Sequence, residues 1–262
     1  MNSSRRQFLE KTMGCVGGLV LGGMLPAAAE DTFIPTHPEP GNGLPVINAG
    51  IGGNNTVDLL KRIEKDCLAH RPRLTILMAG TNDMNSVKHV PLADYEKNLS
   101  VIAGRITASG SHLLMMTILP AYEPYLLTRH PAAFYQPEGV VGRRRRQVND
   151  TIRKVAQQYK AVLLDIEQRF MAVGKVGTGR DSLIRNEQNA NITDGIHPTA
   201  NGYRFMALAV YDCIVYNQLP TSSIVCFGDS ITRGDGSNDK DSYPGYLNQL
   251  LTTANAVKKD DL

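Results

Sequence analysis

The sequence predicts an α/β protein in which a mostly parallel sheet is covered by helices on both faces. Three observations carry that expectation. Five short apolar runs, near residues 44–48, 74–79, 113–117, 161–165 and 223–227, alternate with stretches of helical periodicity. Residues suited to tight turns and chemistry follow several of those runs without a spacer. No internal repeat, low-complexity tract or second apolar set interrupts the alternation. Short buried runs separated by helices are the pattern of parallel strands joined by crossovers.

In chain order, residues 1–29 read as an export signal. Arg5 and Arg6 precede an apolar, glycine-rich run from Val16 to Leu25, and Ala27-Ala28-Ala29 offers a small-residue cleavage site. The arginine pair followed by Gln7, Phe8 and Leu9 resembles the twin-arginine signal, so the twin-arginine export machinery is an expected partner, with a periplasmic or secreted destination after cleavage near Ala29. The run is too short for a permanent membrane span. Residues 30–43, rich in Pro, Gly and acidic side chains, read as a flexible lead-in, and 44–254 as one domain. Thr56 to Ala69 has helical spacing at Val57, Leu60, Ile63 and Cys67, with Thr56 as its cap. Further helices are expected at Ala93–Ala108, Arg144–Tyr159, Tyr203–Tyr216 and Tyr243–Thr253, leaving 255–262 as a tail.

Composition excludes some classes of function. Loss of the signal removes three cationic and one anionic side chain from totals of 28 and 25, which lowers the formal charge from +3 to +1. So balanced a surface favours neither nucleic acid nor strong membrane attraction. Cys67, Cys213 and Cys226 remain, an odd number set in apolar or helical patterns, and they read as buried free thiols.

The candidate chemistry lies at the strand ends. The run Ser223–Phe227 leads directly into Gly228-Asp229-Ser230, which places a serine at the carboxyl end of a buried strand, where α/β folds collect their ligands. Gly50, Gly52 and Gly53 leave backbone amides uncovered beside another strand end, as an oxyanion site requires. Asn82, in Gly80-Thr81-Asn82-Asp83, either turns its amide into the same crevice or caps its own backbone. Asp194 and His197 are three apart in a glycine-containing loop, a spacing that lets the carboxylate hold Nδ1 while Nε2 faces a nucleophile. No other histidine supplies metal-ligand spacing, so neither a metal nor another cofactor is expected.

Gly228-Asp229-Ser230, Gly53 in NAGIGGNNT, Asn82 in GTND, and Asp194 with His197 in DGIHPTANGY resemble the four sequence blocks of the SGNH, or GDSL, hydrolase family. The resemblance implies a three-layer, flavodoxin-like sandwich with five parallel strands. It also implies a serine esterase in which Ser230 is the nucleophile, His197 its base and Asp194 the orienting acid. The N–H groups of Ser230 and Gly53 and the Asn82 amide would then form the oxyanion hole. The block order differs from the family pattern, because the Ser230 block follows the His197 block. A circular permutation accounts for it and implies that strand 223–227 lies between 44–48 and 74–79. The rival account makes 223–262 the stump of a second domain, which would leave 44–216 without a nucleophile.

The connection 118–142 carries Tyr122, Tyr125, Phe134 and Tyr135, which either stack on a sugar face or bury themselves against the domain, and Asp229 either orders the serine turn through its carboxylate or contacts substrate at the pocket. The expected substrate is a small ester or acylated carbohydrate, acetyl above all. A lipase or lysophospholipase, a thioesterase, and a non-catalytic carbohydrate-binding protein are the alternatives.

Overall fold

The computed structural model describes residues 46–137, 141–234 and 242–260, with side chains to 253 in the last helix. The expected export signal at 1–29 and lead-in at 30–43 lie outside the described residues. In chain order the elements are β1 (Val46–Gly50), α1 (Thr56–Asp66), β2 (Leu74–Met78), α2 (Leu92–Ala108), β3 (His112–Met116), α3 (Glu123–Leu126) and α4 (Val141–Gln158). Then follow β4 (Val162–Leu164), α5 (Ile166–Val173), α6 (Glu187–Ala190), α7 (Ala200–Tyr216), β5 (Ile224–Gly228), α8 (Ser230–Arg233) and α9 (Tyr243–Asp260).

The strands form one sheet in the order β1-β5-β2-β3-β4, with every pairing parallel. The last strand in sequence is therefore internal. Ile224 stands opposite Val46 on one side and Leu74 on the other, and Gly228 stands opposite Gly50 and Met78. All five β5 residues are buried, as are all five of β2, which is why these strands read as continuous apolar runs. A fully buried side chain such as Phe227 contributes on the order of 1.5–3 kcal/mol through loss of apolar surface from water. Helices sandwich the sheet, with α1 packed on α2 and α2 on α4, while α7 packs on α9.

Several boundaries differ from the sequence reading for identifiable reasons. Strand β1 runs to Gly50 rather than stopping at Asn48, so Gly50 belongs to the sheet and not to the glycine loop. A Cβ on Gly50 would lie 2.1 Å from the Arg233 backbone nitrogen, so only glycine lets α8 cross this strand end. The α1 cap is Asn55, not Thr56: extended Asn55 accepts from the Asp58 N–H, and Asp58 returns the bond in a capping box. Thr56 instead donates from both N–H and hydroxyl to the Asp83 carboxylate. Helix α4 begins at Val141 and takes in the four consecutive arginines Arg143 to Arg146. Arg144 is buried over Phe134 and Tyr135, and Arg145 pairs with Glu167, so two of the four arginines face inward. Helix α9 continues to Asp260, through most of the expected tail. Cys67, Cys213 and Cys226 are buried free thiols, as expected.

Candidate active site

At the carboxyl end of β5 the chain turns sharply into α8. Gly228 has no room for a side chain, since a Cβ would meet the Thr232 hydroxyl at 2.3 Å and the Met78 carbonyl at 2.5 Å. Asp229 caps α8 by accepting the Ile231 N–H at 2.9 Å. Ser230 is thereby set at the first position of the helix, half-buried, and its N–H donates to no group among the described residues. Asp229 itself is fully buried. Of the two readings of Asp229, substrate contact is corrected by this burial and the turn-ordering one fits, with Oδ1 spent on the turn and Oδ2 without a hydrogen-bond partner among the described residues.

The loop before α7 brings up the histidine. His197 Nε2 lies 2.9 Å from Ser230 Oγ, and Nδ1 lies 2.9 and 3.0 Å from the two Asp194 oxygens. Asp194 Oδ1 also accepts the N–H groups of Ile196 and His197, each at 3.0 Å, so the carboxylate organises the turn as well as the ring. Burial raises the Asp194 carboxyl, but the hydrogen bond and charge of His197, with the two backbone N–H groups, outweigh it and hold the acid at about 2. The loop is braced from outside. Arg129 donates to the carbonyls of Thr193 and Asp194, and the Tyr122 N–H donates to the Gly195 carbonyl at 2.8 Å.

The glycine loop and the asparagine also meet. Gly53 has φ of +74° with open space where a side chain would stand, and its N–H has no partner among the described residues. Asn82 Nδ2 donates one hydrogen to the Asn54 carbonyl at 2.9 Å, which ties the Asn82 turn to the glycine loop and leaves a second N–H on the same nitrogen. The Gly50 amide, by contrast, is taken by the Asn48 side chain at 3.0 Å.

Of the four aromatics expected at the pocket, two are not placed for it. Tyr135 is fully buried, and Phe134 packs edge-on to it and to His89 with Arg144 over its face. The connection buries them because it folds onto the side of α4. Tyr122 and Tyr125 remain half-exposed, stack edge to face with centroids 4.9 Å apart, and adjoin the Asp194–His197 turn through Gly195.

Sequence reasoning missed Arg62. From α1 its guanidinium donates to the Ala49 carbonyl at 2.9 Å, the Gly228 carbonyl at 2.7 Å and Asn54 Oδ1 at 2.7 Å, while lying over the Phe227 ring. It joins the ends of β1 and β5 to the glycine loop. Nothing local marks it, because an arginine on an amphipathic helix ordinarily reads as solvated.

Serine, histidine and aspartate in series at the carboxyl edge of a parallel sheet, beside uncommitted N–H donors, define the class of α/β hydrolytic sites that activate a hydroxyl. The chain belongs to the GDSL-like Lipase/Acylhydrolase family, whose profile matches residues 22–205, and it is accordingly an ester hydrolase of that family. It is 27% identical over 199 residues to the uncharacterized lipoprotein YqeF of Bacillus subtilis (strain 168), covering 71% of this chain and 80% of that protein. It is 24% identical over 175 residues to an acetylxylan esterase of Geobacillus stearothermophilus, covering 64% and 70%. Among solved structures, the acetyl xylan esterase AlAXEase superposes with a TM-score of 0.50 at 22% identity over 63% of this chain and 79% of that one, a likeness of fold.

Proposed function

We propose that this protein is a serine esterase that removes short acyl groups, acetyl above all, from a carbohydrate by way of an acyl-enzyme. The observation that carries the proposal is the hydrogen-bonded series Asp194–His197–Ser230. In this reading His197 Nε2 takes the proton as Ser230 Oγ attacks the ester carbonyl. Asp194, ionised through the ordinary pH range, holds the ring and steadies the imidazolium. The tetrahedral oxyanion is held by the N–H groups of Ser230 and Gly53 and by the free Asn82 N–H. The returned proton expels the alcohol, and water activated by His197 then releases the acid.

The carbohydrate is favoured by half-exposed Tyr122 and Tyr125 beside the histidine turn and by the likeness to an acetylxylan esterase. The decisive measurement is kcat/KM on acetyl and long-chain nitrophenyl esters, acetylated xylo-oligosaccharides and an acyl thioester. Highest efficiency on acetylated sugar is expected. Preference for the long chain or the thioester would replace this reading with a lipase or a thioesterase.

Two further readings belong to the proposal. The block order reflects a circular permutation of the family's flavodoxin-like arrangement, supported by the internal position of β5 and by a family match that ends at 205, before Ser230. A chain re-ordered so that 223–260 precedes 46–218 through a short linker is expected to fold and keep activity, and failure of several linker lengths would count against it. Residues 1–29 direct export through the twin-arginine route. Replacing Arg5 and Arg6 with Lys is expected to retain unprocessed protein in the cell, and normal export of that variant would remove the route.

A further inference from the structure

Residues on either side of the Asp194–His197 turn in sequence wall a second concavity. An open cleft of about 500 Å³ lies between the 180–192 stretch and the start of α7. That volume suits an oligomeric ligand and exceeds what one small oxyanion needs. Three arginines line it: Arg180, Arg185 and Arg204. Its one carboxylate, Asp181, is already paired with Lys175.

The arginines are not consumed by the fold. Arg185 spends its backbone N–H on the His197 carbonyl and its Nε on the Pro198 carbonyl at 2.8 Å, which leaves the two terminal nitrogens without a protein acceptor among the described residues. Among the described residues Arg204 bonds only the neutral Asn201 side chain, and it lies over the Tyr246 ring. Exposed Arg180 has no ion pair among the described residues. The first turn of α7 adds to the field, because Thr199 caps Gly202 while the N–H groups of Ala200 and Asn201 have no intrahelical acceptor. Three cations held on one concave wall repel one another unless an anion joins them. Their distribution over a loop, an extended segment and a helix suits several charges in sequence, not one.

We propose that this cleft binds the carboxylates of an acidic oligosaccharide, so that the esterase works on acylated chains containing uronic acid units. The proposal rests on the carbohydrate-esterase reading above and narrows it. Arg185 provides the link between the two sites, since the residue that walls the cleft also supports the backbone of His197. A glycan seated on the arginines would run alongside the histidine turn, where Tyr122 and Tyr125 stand.

The test separates binding from turnover. Ser230→Ala protein, whose binding does not depend on catalysis, is titrated calorimetrically with oligogalacturonate, neutral xylo-oligosaccharide and inorganic phosphate. Oligogalacturonate is expected to bind most tightly, to weaken as salt is raised, and to lose roughly ten-fold in affinity for each of Arg180→Gln and Arg204→Gln, the loss expected of one charge-assisted contact. In parallel, the ratio of kcat/KM on acetylated uronate oligomers to that on acetylated neutral oligomers is expected to fall at least ten-fold in the double variant, with circular dichroism confirming the fold. Equal binding of acidic and neutral oligomers, an unchanged ratio, or binding of phosphate without oligogalacturonate would overturn the proposal. Absence of turnover on every acetyl ester would overturn the esterase reading instead, and the calorimetric result would still decide whether the cleft takes the acidic chain.

Discussion

The Arg62 guanidinium donates to the carbonyl of Gly228 at 2.7 Å across 166 residues of sequence, and Gly228 is the residue two before the candidate nucleophile. The same side chain holds Asn54, whose carbonyl holds Asn82, so one cation connects the serine turn to two of the candidate oxyanion donors. Arg62 touches no reacting atom and is a positioning residue.

Replacing it tests that role. Arg62→Gln is expected to lower kcat by roughly ten-fold or more with a smaller change in KM, because displacing donors by a fraction of an ångström harms the transition state more than substrate binding. Arg62→Lys keeps the charge but cannot reach three acceptors in one plane, so it is expected to recover only part of the loss. A folded Arg62→Gln protein with unchanged kcat would remove the role.

Buried carboxylates set a pH dependence of stability. Burial raises Asp83 and Asp229 to about 6, above the roughly 3.9 of an unfolded aspartate. The native state therefore takes up these protons before the unfolded chain does, and for these two groups stability rises as pH falls from about 7 to 4. Asp194 acts in the opposite sense. Depressed to about 2, it contributes stability that is present above pH 4 and is lost as pH falls from about 4 to 2. Thermal melts of wild type and Asp83→Asn from pH 4 to 7.5 check the first part. The variant's Tm relative to wild type is expected to be most favourable at neutral pH and to become less so toward pH 4, whereas a constant difference would contradict it.

Gly195 joins the aromatic connection to the histidine turn. Its φ is +73°, and a Cβ there would stand 2.9 Å from both the Tyr122 carbonyl oxygen and Tyr125 Cβ. Gly174 has a similar φ of +67° but open space around it. Gly195→Ala therefore adds crowding to strain. It is expected to cost about 1–3 kcal/mol, more than Gly174→Ala, and also to lower turnover, which Gly174→Ala leaves alone. Equal Tm losses in the two variants would mean that the connection yields without moving the turn.

What the sequence displayed and what it hid divide along a physical line. Ser230, Asp194 and His197 were legible because each lies in a short turn whose residues serve that turn: Gly228 admits the sharp bend, and Asp194 bonds two backbone N–H groups within three residues of itself. Strands β2 and β5 were legible because burial on both faces makes each of them an apolar run, while the edge strands β1 and β4, only partly covered, leave a weaker pattern. The place of β5 between β1 and β2 came only from resemblance, since pairing over 178 residues leaves no local trace. Arg62 was hidden because the partners that tie it to the strand ends are backbone carbonyls, which every residue has, and its i,i+4 pairing with Asp66 looks like an ordinary surface ion pair. Tyr135 stayed open between two readings because an aromatic side chain in a long connection looks the same whether it lines a pocket or, as here, packs beneath Arg144. Thr56 and Asn55 are both good caps, and only the buried Asp83 decides which of them serves another partner.

The catalytic proposal makes the most demanding prediction, because it assigns each group a different task. Ser230→Ala removes the nucleophile and His197→Ala its base, and the 2.9 Å contact between them implies a shared step. The double variant is therefore expected to be hardly worse than either single one. Asn82→Ala leaves both groups in place and deletes one oxyanion donor, for a loss of roughly 10²–10³ in turnover. Asp194→Ala is expected to cost more than Asn82→Ala, because it frees the imidazole and also unties the Ile196 and His197 N–H groups that shape the turn. Asp194→Asn separates these contributions, since the amide oxygen can still accept from the backbone while the charge is gone. The measurement is turnover of a short acyl ester by each variant, with circular dichroism to establish folding. Full activity in folded Ser230→Ala protein would sink the serine-esterase assignment, and strictly additive losses at Ser230 and His197 would mean that the two act in separate steps.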